Sequence, residues 1–308
     1  MSQKSKQKRD RRKKEQESEV RRMTHEKQAL EASTRGVRGL RIKRSEYADS
    51  WSQGNAAKFE QDGHYAWMAG FLDGYERIIE IGTGDGRGTM ELARRGHIVI
   101  SIDENPTCLH LARERLSTAG IPVLYQDREV SETIGDNYVI RYPRHPGDWP
   151  SNGVLLVEGD LLNDPQLLDW ATTHKADAVV CWLMGTHKAR HKNEGLKHYG
   201  IPDSGGYRLA VENMTYKFAD IVLRPGGILH FVRRGEGTTS ELLYKDLLYG
   251  VREQAAETSL VVDESFPERP YEESTAGVDM GMKPGTSGRV PTDYKPTLTS
   301  IIVRKPGK

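Results

Sequence analysis

Cysteine, long apolar runs and an apolar N-terminal segment are scarce or absent in this sequence, and each shortage excludes a class of protein. Two cysteines, Cys108 and Cys181, in 308 residues are too few for a disulfide framework. No run approaches the roughly 18 consecutive apolar residues of a membrane span. The first residues also lack the apolar stretch of a secretory signal. These features predict a protein of a reducing compartment, the cytoplasm, with no membrane partner.

Charge is unevenly distributed along the chain, although the net charge is only +1. Residues 1–44 contain 16 Lys and Arg against 6 Asp and Glu, whereas the remainder contains 29 against 38. Lys4–Lys14 has no apolar residue and is predicted to be disordered when free, and Arg35–Arg44 is a second basic stretch. A basic arm on an acidic body favours a polyanionic partner such as a nucleic acid, although a solubilising terminus has the same composition.

Short apolar strands alternate with helices from residue 45 onward. Strands are predicted at 77–81, 97–102, 154–157, 176–183, 228–232, 259–262 and 298–303. Helices are predicted at 56–72, 89–95, 107–118, 165–173, 207–223 and 240–255. This alternation predicts an α/β fold with a doubly wound, mostly parallel sheet of about seven strands. The last two strands have no helix between them, which predicts an antiparallel edge strand.

Two segments interrupt the alternation within a single predicted domain of residues 45–308. Residues 125–152 are predicted to be an insertion containing a hairpin, with a turn at Gly135-Asp136-Asn137. Residues 270–296 are rich in Gly, Pro, Ser and Thr, and such a long irregular connection is a candidate lid or substrate loop. Residues 1–44 are predicted to be a separate basic arm, disordered to helical.

A glycine-rich loop, residues 82–88, follows the first predicted strand. Glycines there allow a sharp turn and a close approach of the backbone to a ligand, and the next helix directs its N-terminal amides at the loop. The G-x-G-x-x-G dinucleotide fingerprint fails, because its third glycine would fall on Arg87 or Thr89. A P-loop fails because no Gly-Lys-Ser/Thr follows.

The segment Glu80-Ile81-Gly82-Thr83-Gly84-Asp85-Gly86 resembles the E/D-x-G-x-G-x-G motif of class I S-adenosylmethionine (SAM)-dependent methyltransferases, which have a Rossmann-like fold. Four further features occur in the order expected for that family. They are Asp103 after the second strand, Glu158-Gly159-Asp160-Leu161 after the third, the fourth strand at 176–184, and the turn Leu223-Arg224-Pro225-Gly226-Gly227. The resemblance covers roughly residues 75–232.

The resemblance implies a set of residues that bind SAM. They are Glu80, Gly82, Thr83, Gly84, Gly86, Asp103, Glu104, Asp160, Leu161 and Trp182. Within this set, Glu80 is implied to orient the methionine amino group, the glycines to line methionine and ribose, and Asp160 to face the adenine. Asp103 is implied to accept hydrogen bonds from the ribose hydroxyls, a role that an acidic residue at this spacing has in nucleotide folds. Glu104 is an adjacent carboxylate that could replace Asp103 in this role.

The end of the fourth strand, residues 181–187, is implied to face the methyl group. It contains neither the N/D-P-P-Y/F motif of amino-group methyltransferases nor the Pro-Cys of pyrimidine C5 enzymes. His187 is a candidate general base, or a histidine of a surface loop. His187 and His191 have helical i, i+4 spacing but lack a further ligand, so no metal site is predicted. Trp182 could stack on a planar substrate or fill the core.

The acceptor of the methyl group has three alternative interpretations. The chain could act on RNA or a ribonucleoprotein, with Lys4–Lys14 and Arg35–Arg44 supplying phosphate contacts. It could instead methylate a small molecule or a protein, with the insertion and the long loop closing over the substrate. The basic stretch Lys188–Lys192 would suit an anionic substrate, or it is a solvated loop. The third alternative is a SAM-binding regulator or scaffold with little catalysis.

Overall fold

A computed structural model of the chain describes residues 35–276 and 295–307, which form one nine-stranded sheet and a separate hairpin. The sheet contains β1 (Arg77–Ile81), β2 (Ile98–Asp103), β3 (Val123–Gln126), β6 (Val154–Glu158), β7 (Ala176–Trp182), β8 (Leu223–Glu236), β9 (Val261–Val262), β10 (Glu268–Pro270) and β11 (Pro296–Arg304). The hairpin consists of β4 (Val130–Ile134) and β5 (Asn137–Arg141). The strand order is β10-β11-β8-β7-β1-β2-β6-β3, and β9 pairs with β11.

The pairing confirms the predicted α/β class. Strands β8, β7, β1, β2, β6 and β3 are parallel to their neighbours, whereas β11 is antiparallel to β8. Strands β9 and β10 pair antiparallel with β11 and extend that side of the sheet. At the opposite edge β3 pairs with β6, so the sheet has more strands than the seven that the sequence indicates.

Helices cover both faces of the sheet. They are α1 (Gly36–Gln53), α2 (Asn55–Gln61), α3 (His64–Gly70), α4 (Arg87–Arg94), α5 (Pro106–Thr118), α6 (Pro165–Ala171), α7 (Ser204–Val222) and α8 (Glu241–Ala255). The single helix predicted at 56–72 is two helices, because Gly63 between them has a φ of 70°. Within the described ranges, every helix is too short or too polar to pass through a lipid bilayer.

The core is divided by the sheet into two apolar layers, as expected for a doubly wound fold. One layer packs α6, α7 and α8 against the sheet and includes Ile79 and Ile81, and the other packs α2 to α5 and includes Ile78. These neighbouring residues of β1 alternate between the layers because successive strand side chains point to opposite faces. All five residues of β6 are buried, which is typical of a parallel strand covered on both sides.

Helix α1 passes without interruption through residue 44, where the sequence predicts the end of the basic arm. Its buried side includes Leu40, Arg44, Ala48 and Trp51, at spacings of three and four residues that place them on one helix face. Arg44 is only 3% exposed, so it cannot contribute the phosphate contact predicted for Arg35–Arg44. The other basic stretch, Lys4–Lys14, lies outside the described residues.

The segment 125–152 contains the β4–β5 hairpin, which packs on the N-terminal half of α1. Tyr138, Ile140 and Tyr142 form an apolar cluster with Leu40. The hairpin therefore holds α1 against the carboxyl end of β2. The predicted loop 270–296 begins at the end of β10, and most of it, residues 277–294, lies outside the described residues.

Candidate functional site

A cavity opens at the carboxyl ends of β1, β2, β6 and β7, where the strand order reverses around β1. Parallel α/β sheets bind their ligands at this position. The cavity encloses about 930 Å³ of atom-free space, including its opening to solvent. Its walls include Glu80, Gly82, Thr83, Gly84, Asp103, Glu104, Asp160, Leu161 and Trp182. The fold therefore brings most of the residues predicted from sequence to one place, while Gly86 and His187 are not on the wall.

The loop after β1 depends on glycine for its backbone conformation. Gly82 and Gly84 have φ values of 89° and 55°, in the left-handed region that favours glycine. A Cβ on Gly82 would lie 3.0 Å from Met184 Cε, and a Cβ on Gly84 would lie 3.0 Å from Trp51 Nε1. The loop is thus tightly enclosed, and its bare backbone forms part of the cavity wall.

Gly86 has a different role from the one implied by the resemblance. It precedes α4 with a φ of 82°, and a Cβ there would lie 2.6 Å from Ala112 Cβ on α5. Gly86 therefore permits close packing of α4 against α5. It supports the loop from behind and does not itself line the cavity.

Glu80 is a buried carboxylate at the end of β1. It accepts hydrogen bonds from the hydroxyls of Thr89 and Ser101, and it forms no ion pair with any described residue. Burial raises the pKa of Glu80 to about 7, because these two hydrogen bonds offset only part of the cost of removing the charge from water. A cationic donor that entered the cavity would stabilise the ionised form.

Asp103 is a second buried carboxylate, at the end of β2. Its Oδ2 accepts a hydrogen bond from the Gly84 N–H at 3.0 Å, and its Oδ1 accepts one from the Asn105 N–H at 2.8 Å. It too forms no ion pair within the described part of the chain. Burial, with a further contribution from the neighbouring Glu104 carboxylate, raises the pKa of Asp103 to about 7. Each oxygen retains capacity to accept from a ligand hydroxyl.

Glu104 has the opposite surroundings. Its carboxylate lies 2.8 Å from Arg44 Nη2, 3.0 Å from His187 Nε2 and 3.2 Å from Arg190 Nη1. Although burial favours the neutral acid, these three groups hold the pKa of Glu104 well below its ordinary value. Glu104 is therefore the centre of an internal ion-pair network.

We refer to this network as the ionic cluster. Its members are Arg44, Glu104, Glu129, Asp160, His187 and Arg190. Asp160 Oδ1 lies 2.6 Å from Arg190 Nη2 and also accepts the Leu162 N–H at 3.0 Å. Asp160 thus belongs to the cluster and to the cavity wall. The cluster joins α1, the end of β2, the end of β6 and the segment after β7.

His187 lies inside the ionic cluster. It is not among the residues that line the cavity near the end of β7. Its side chain is 1% exposed, with Nε2 facing Glu104 and Nδ1 accepting the Ala189 N–H at 3.2 Å. Burial lowers the pKa of His187. This placement argues against the predicted general base, because the ring is closed off from the cavity. His187 instead contributes to the position of Glu104.

The end of β7 forms the remaining wall. Trp182 is 6% exposed, and its indole N–H donates to His230 Nδ1 at 3.1 Å, so it fills the core at the cavity edge. Leu183 follows with a φ of 56°, and it is the single non-glycine residue with positive φ in the described ranges. Cys181 is buried in the sheet, and burial raises the pKa of its thiol. The thiol is therefore not activated as a nucleophile.

Several residues of the cavity wall were not predicted from the sequence. They are Tyr47, Trp51, Tyr65 and Tyr207. Tyr47 and Trp51 come from α1, and the Tyr47 hydroxyl occupies the place where a Cβ on Gly185 would stand. The spacing of Leu40, Ala48 and Trp51 is the sequence signal for this helix face.

Metal ligands do not gather in the described ranges: no three His, Cys, Asp or Glu side chains there are arranged to hold an ion. His191 stands in a short 3₁₀ helix, Arg190–Lys192. The neighbouring Arg190 is committed to Asp160 and Glu104. The basic stretch Lys188–Lys192 is therefore partly internal.

No protein-family model matches the sequence, and no curated protein matches it. Among solved structures, the [4+2]-cyclase SpnF is 14% identical over 80% of this chain and 81% of its own, with a TM-score of 0.45. A putative sarcosine dimethylglycine methyltransferase from Galdieria sulphuraria is 14% identical over 82% and 88%, with a TM-score of 0.43. The N-methyltransferase NodS from Bradyrhizobium japonicum WM9, in complex with S-adenosyl-L-homocysteine, is 14% identical over 80% and 86%, with a TM-score of 0.40. Each of these likenesses is remote.

Proposed function

We propose that this chain binds SAM and is a class I SAM-dependent methyltransferase. One observation carries the proposal. The three neighbouring strands β1, β2 and β6 each place a carboxylate on the wall of the same cavity, at the carboxyl end of the strand or within two residues of it: Glu80, Asp103 and Asp160. SAM has three groups that donate hydrogen bonds, namely an ammonium, a ribose diol and an adenine amine. The number and order of donors match the number and order of carboxylates.

The electrostatics of the cavity support the same ligand. Glu80 and Asp103 are buried without a counter-ion in the described part of the chain, and the pKa of each is raised to about 7. An ammonium near Glu80 and two hydroxyls near Asp103 would compensate these charges. Gly82 and Gly84 form part of the cavity wall with their bare backbone, which a ligand can approach closely. The dinucleotide fingerprint fails at Arg87 and Thr89, which disfavours NAD.

When bound, SAM supplies a methyl group that a lone pair of the acceptor takes in line, while the broken carbon–sulfur bond leaves its electron pair on sulfur and any acceptor proton passes to water. The chain's residues bind and align the reactants. Glu80 would hold the amino group of the cofactor's methionine part, and Asp103 would hold its ribose hydroxyls. Tyr47 and Trp51 of α1 cover the loop and limit the access of water. Met184, two residues after β7, would lie on the side of the cavity where the methyl acceptor binds.

The proposal is tested by titration calorimetry of the purified protein with SAM and, separately, with NAD. We expect saturable SAM binding and no NAD binding. Asp103→Asn should weaken SAM binding, whereas Asp246→Asn, an exposed carboxylate on α8, should not. Binding of NAD, or of neither ligand, would contradict the proposal.

Methyl transfer needs a separate readout. Methyl-labelled SAM should transfer label to a small molecule, a protein or an RNA when these are offered in turn. SAM binding with no transfer to any of the three classes would favour the alternative of a SAM-binding regulator or scaffold.

A further inference from the structure

A second cavity adjoins the first at the end of β7. It lies between α7 and the carboxyl end of β8 and encloses about 630 Å³ of atom-free space, including its opening. Leu183 and Met184 line both cavities. These two residues are therefore a wall that the two cavities share.

The second cavity is basic, in contrast to the acidic first cavity. Arg208, Arg233 and Arg234 line it together with a single acid, Glu212. This excess of positive charge stands out, because residues 45–308 as a whole contain 29 Lys and Arg against 38 Asp and Glu. Local positive charge next to the proposed methyl group would select an anionic acceptor.

The guanidinium of Arg233 is held in position by three neighbouring side chains. Its Nη2 lies 2.8 Å from Glu212 Oε2 and donates to Gln254 Oε1 at 2.7 Å, and its guanidinium lies 5.5 Å from the centre of the Phe231 ring. Its Nε is buried and lacks a hydrogen-bond partner among the described residues. A buried donor without an acceptor is costly, and a bound carboxylate or phosphate oxygen would satisfy it.

Arg208 completes the pair from the neighbouring helix. It lies one turn before Glu212 on the same face of α7, and it is exposed at the mouth of the cavity. Arg234 borders the cavity from the other side of β8, where its guanidinium lies 5.8 Å from the centre of the Trp51 ring. Positive charge thus reaches the cavity from both α7 and β8.

The partition between the two cavities has a specific backbone conformation. Leu183 has a φ of 56°, which a branched apolar residue rarely adopts, and its N–H donates to the Val232 carbonyl at 2.8 Å. Strained backbone persists only where the surrounding structure enforces it, and it is common at ligand sites. Here it occurs where the two cavities meet.

We propose that the second cavity is the acceptor site and takes a small molecule with a carboxylate or phosphate group, which Arg208 and Arg233 bind while the accepting atom lies at Met184. The inference rests on the proposed function, because it presupposes a methyl donor in the first cavity. Guanidinium groups recognise the paired oxygens of carboxylates and phosphates.

The test uses the full chain saturated with S-adenosyl-L-homocysteine, into which inorganic phosphate or acetate is titrated and followed by NMR chemical shifts. The variants are Arg208→Gln, Glu212→Gln and the control Arg94→Gln, an exposed arginine on α4. All three should bind S-adenosyl-L-homocysteine like the wild type. Phosphate or acetate should bind about tenfold more weakly to Arg208→Gln, because a charge-assisted contact is lost. Binding should be stronger in Glu212→Gln, which releases Arg233, and unchanged in Arg94→Gln.

The outcomes separate the two proposals. Saturation by phosphate alone or by acetate alone would identify the anionic group and support the inference. Anion binding that is equal in Arg208→Gln and Arg94→Gln would overturn the inference and leave the proposed function intact. An RNA oligonucleotide that loses binding in Arg208→Gln, while both small anions fail to bind, would overturn it in favour of a macromolecular acceptor. Failure of the wild type to bind S-adenosyl-L-homocysteine would overturn the proposed function and the inference with it.

Discussion

Asp103 and Glu104 are adjacent carboxylates at the end of one strand, yet they belong to opposite regions of the molecule. Asp103 faces the cavity without a counter-ion among the described residues, and its pKa is raised to about 7. Glu104 also lies on the cavity wall, but its carboxylate is bound into the ionic cluster, where Arg44, His187 and Arg190 hold its pKa well below the ordinary value. The difference separates a carboxylate with capacity for a ligand from one whose capacity is used within the protein.

The same contrast extends to the surrounding elements. The ionic cluster joins α1 to the carboxyl ends of β2 and β6, so it stabilises the frame of the cavity. Glu80 and Asp103 lack such partners and destabilise the empty protein when they are ionised. Functional sites commonly retain such unfavourable groups, which the ligand then compensates.

The largest effect is expected from removing the charge of Glu104, which tests the difference between Glu104 and Asp103 directly. Glu104→Gln should lower the free energy of unfolding by about 3–5 kcal/mol, because it leaves the buried guanidiniums of Arg44 and Arg190 without their shared partner. Urea unfolding measures this loss. Asp103→Asn, the matched substitution one residue away, should leave the free energy of unfolding unchanged or raise it. Equal losses in the two variants would refute the distinction.

For SAM affinity we expect the reverse order, with a larger loss in Asp103→Asn than in Glu104→Gln. Asp103→Asn should weaken SAM binding by about 1.5–3 kcal/mol, as expected when hydrogen bonds to a charged group are lost. Glu104→Gln, measured where it remains folded, should have the smaller effect because the Glu104 carboxylate is already paired with Arg44, His187 and Arg190. Calorimetry decides between them. A larger effect at residue 104 would transfer the ribose-binding role to Glu104.

Changing the pH should sharpen the contrast further. The pKa values of Glu80 and Asp103 are raised to about 7, so below pH 7 both hold a proton in the empty protein. A ligand that donates to their ionised forms must displace these protons, so SAM affinity should rise from pH 6 to pH 8 by about tenfold per carboxylate. The rise should be smaller in Asp103→Asn. An affinity independent of pH would mean that neither carboxylate changes protonation on binding.

The smallest effect is expected from removing the basic residues that precede α1. The first 34 residues carry 11 Lys and Arg against 6 Asp and Glu, whereas Arg44 lies inside the ionic cluster. Deleting residues 1–34 should leave SAM affinity and the unfolding midpoint unchanged. If the segment binds polyanions, the deletion should reduce RNA retention at low salt. Deleting residues 1–44 should destabilise the protein, because it removes Arg44 and half of α1.

Local patterns predict the sheet and the loop well because both depend on short stretches of sequence. The apolar runs of β1, β2, β6 and β7 and the glycines after β1 each act within a few residues, so their positions can be read directly. The ionic cluster depends on contacts between residues 44, 104 and 187, which no local pattern contains. Adjacent carboxylates cannot be distinguished from sequence because their difference lies in these distant partners.

Arg44 illustrates why the predicted end of the basic arm falls in the middle of α1. Composition groups it with the basic residues before it, whereas periodicity groups it with Leu40, Ala48 and Trp51 on a buried helix face. His187 illustrates the opposite problem. Its position after the fourth strand suggests catalysis, but only the folded chain reveals that its Nε2 lies against Glu104 and that its Nδ1 accepts the Ala189 N–H.

The close approach of Tyr47 to Gly185 has an evolutionary consequence. The tyrosine hydroxyl occupies the space that any side chain at position 185 would need, so neither position can change freely. Homologues with a residue larger than glycine at position 185 should also have a smaller residue at position 47. Correlated substitution at positions 47 and 185 would indicate that α1 packs over the cavity in the homologues as well.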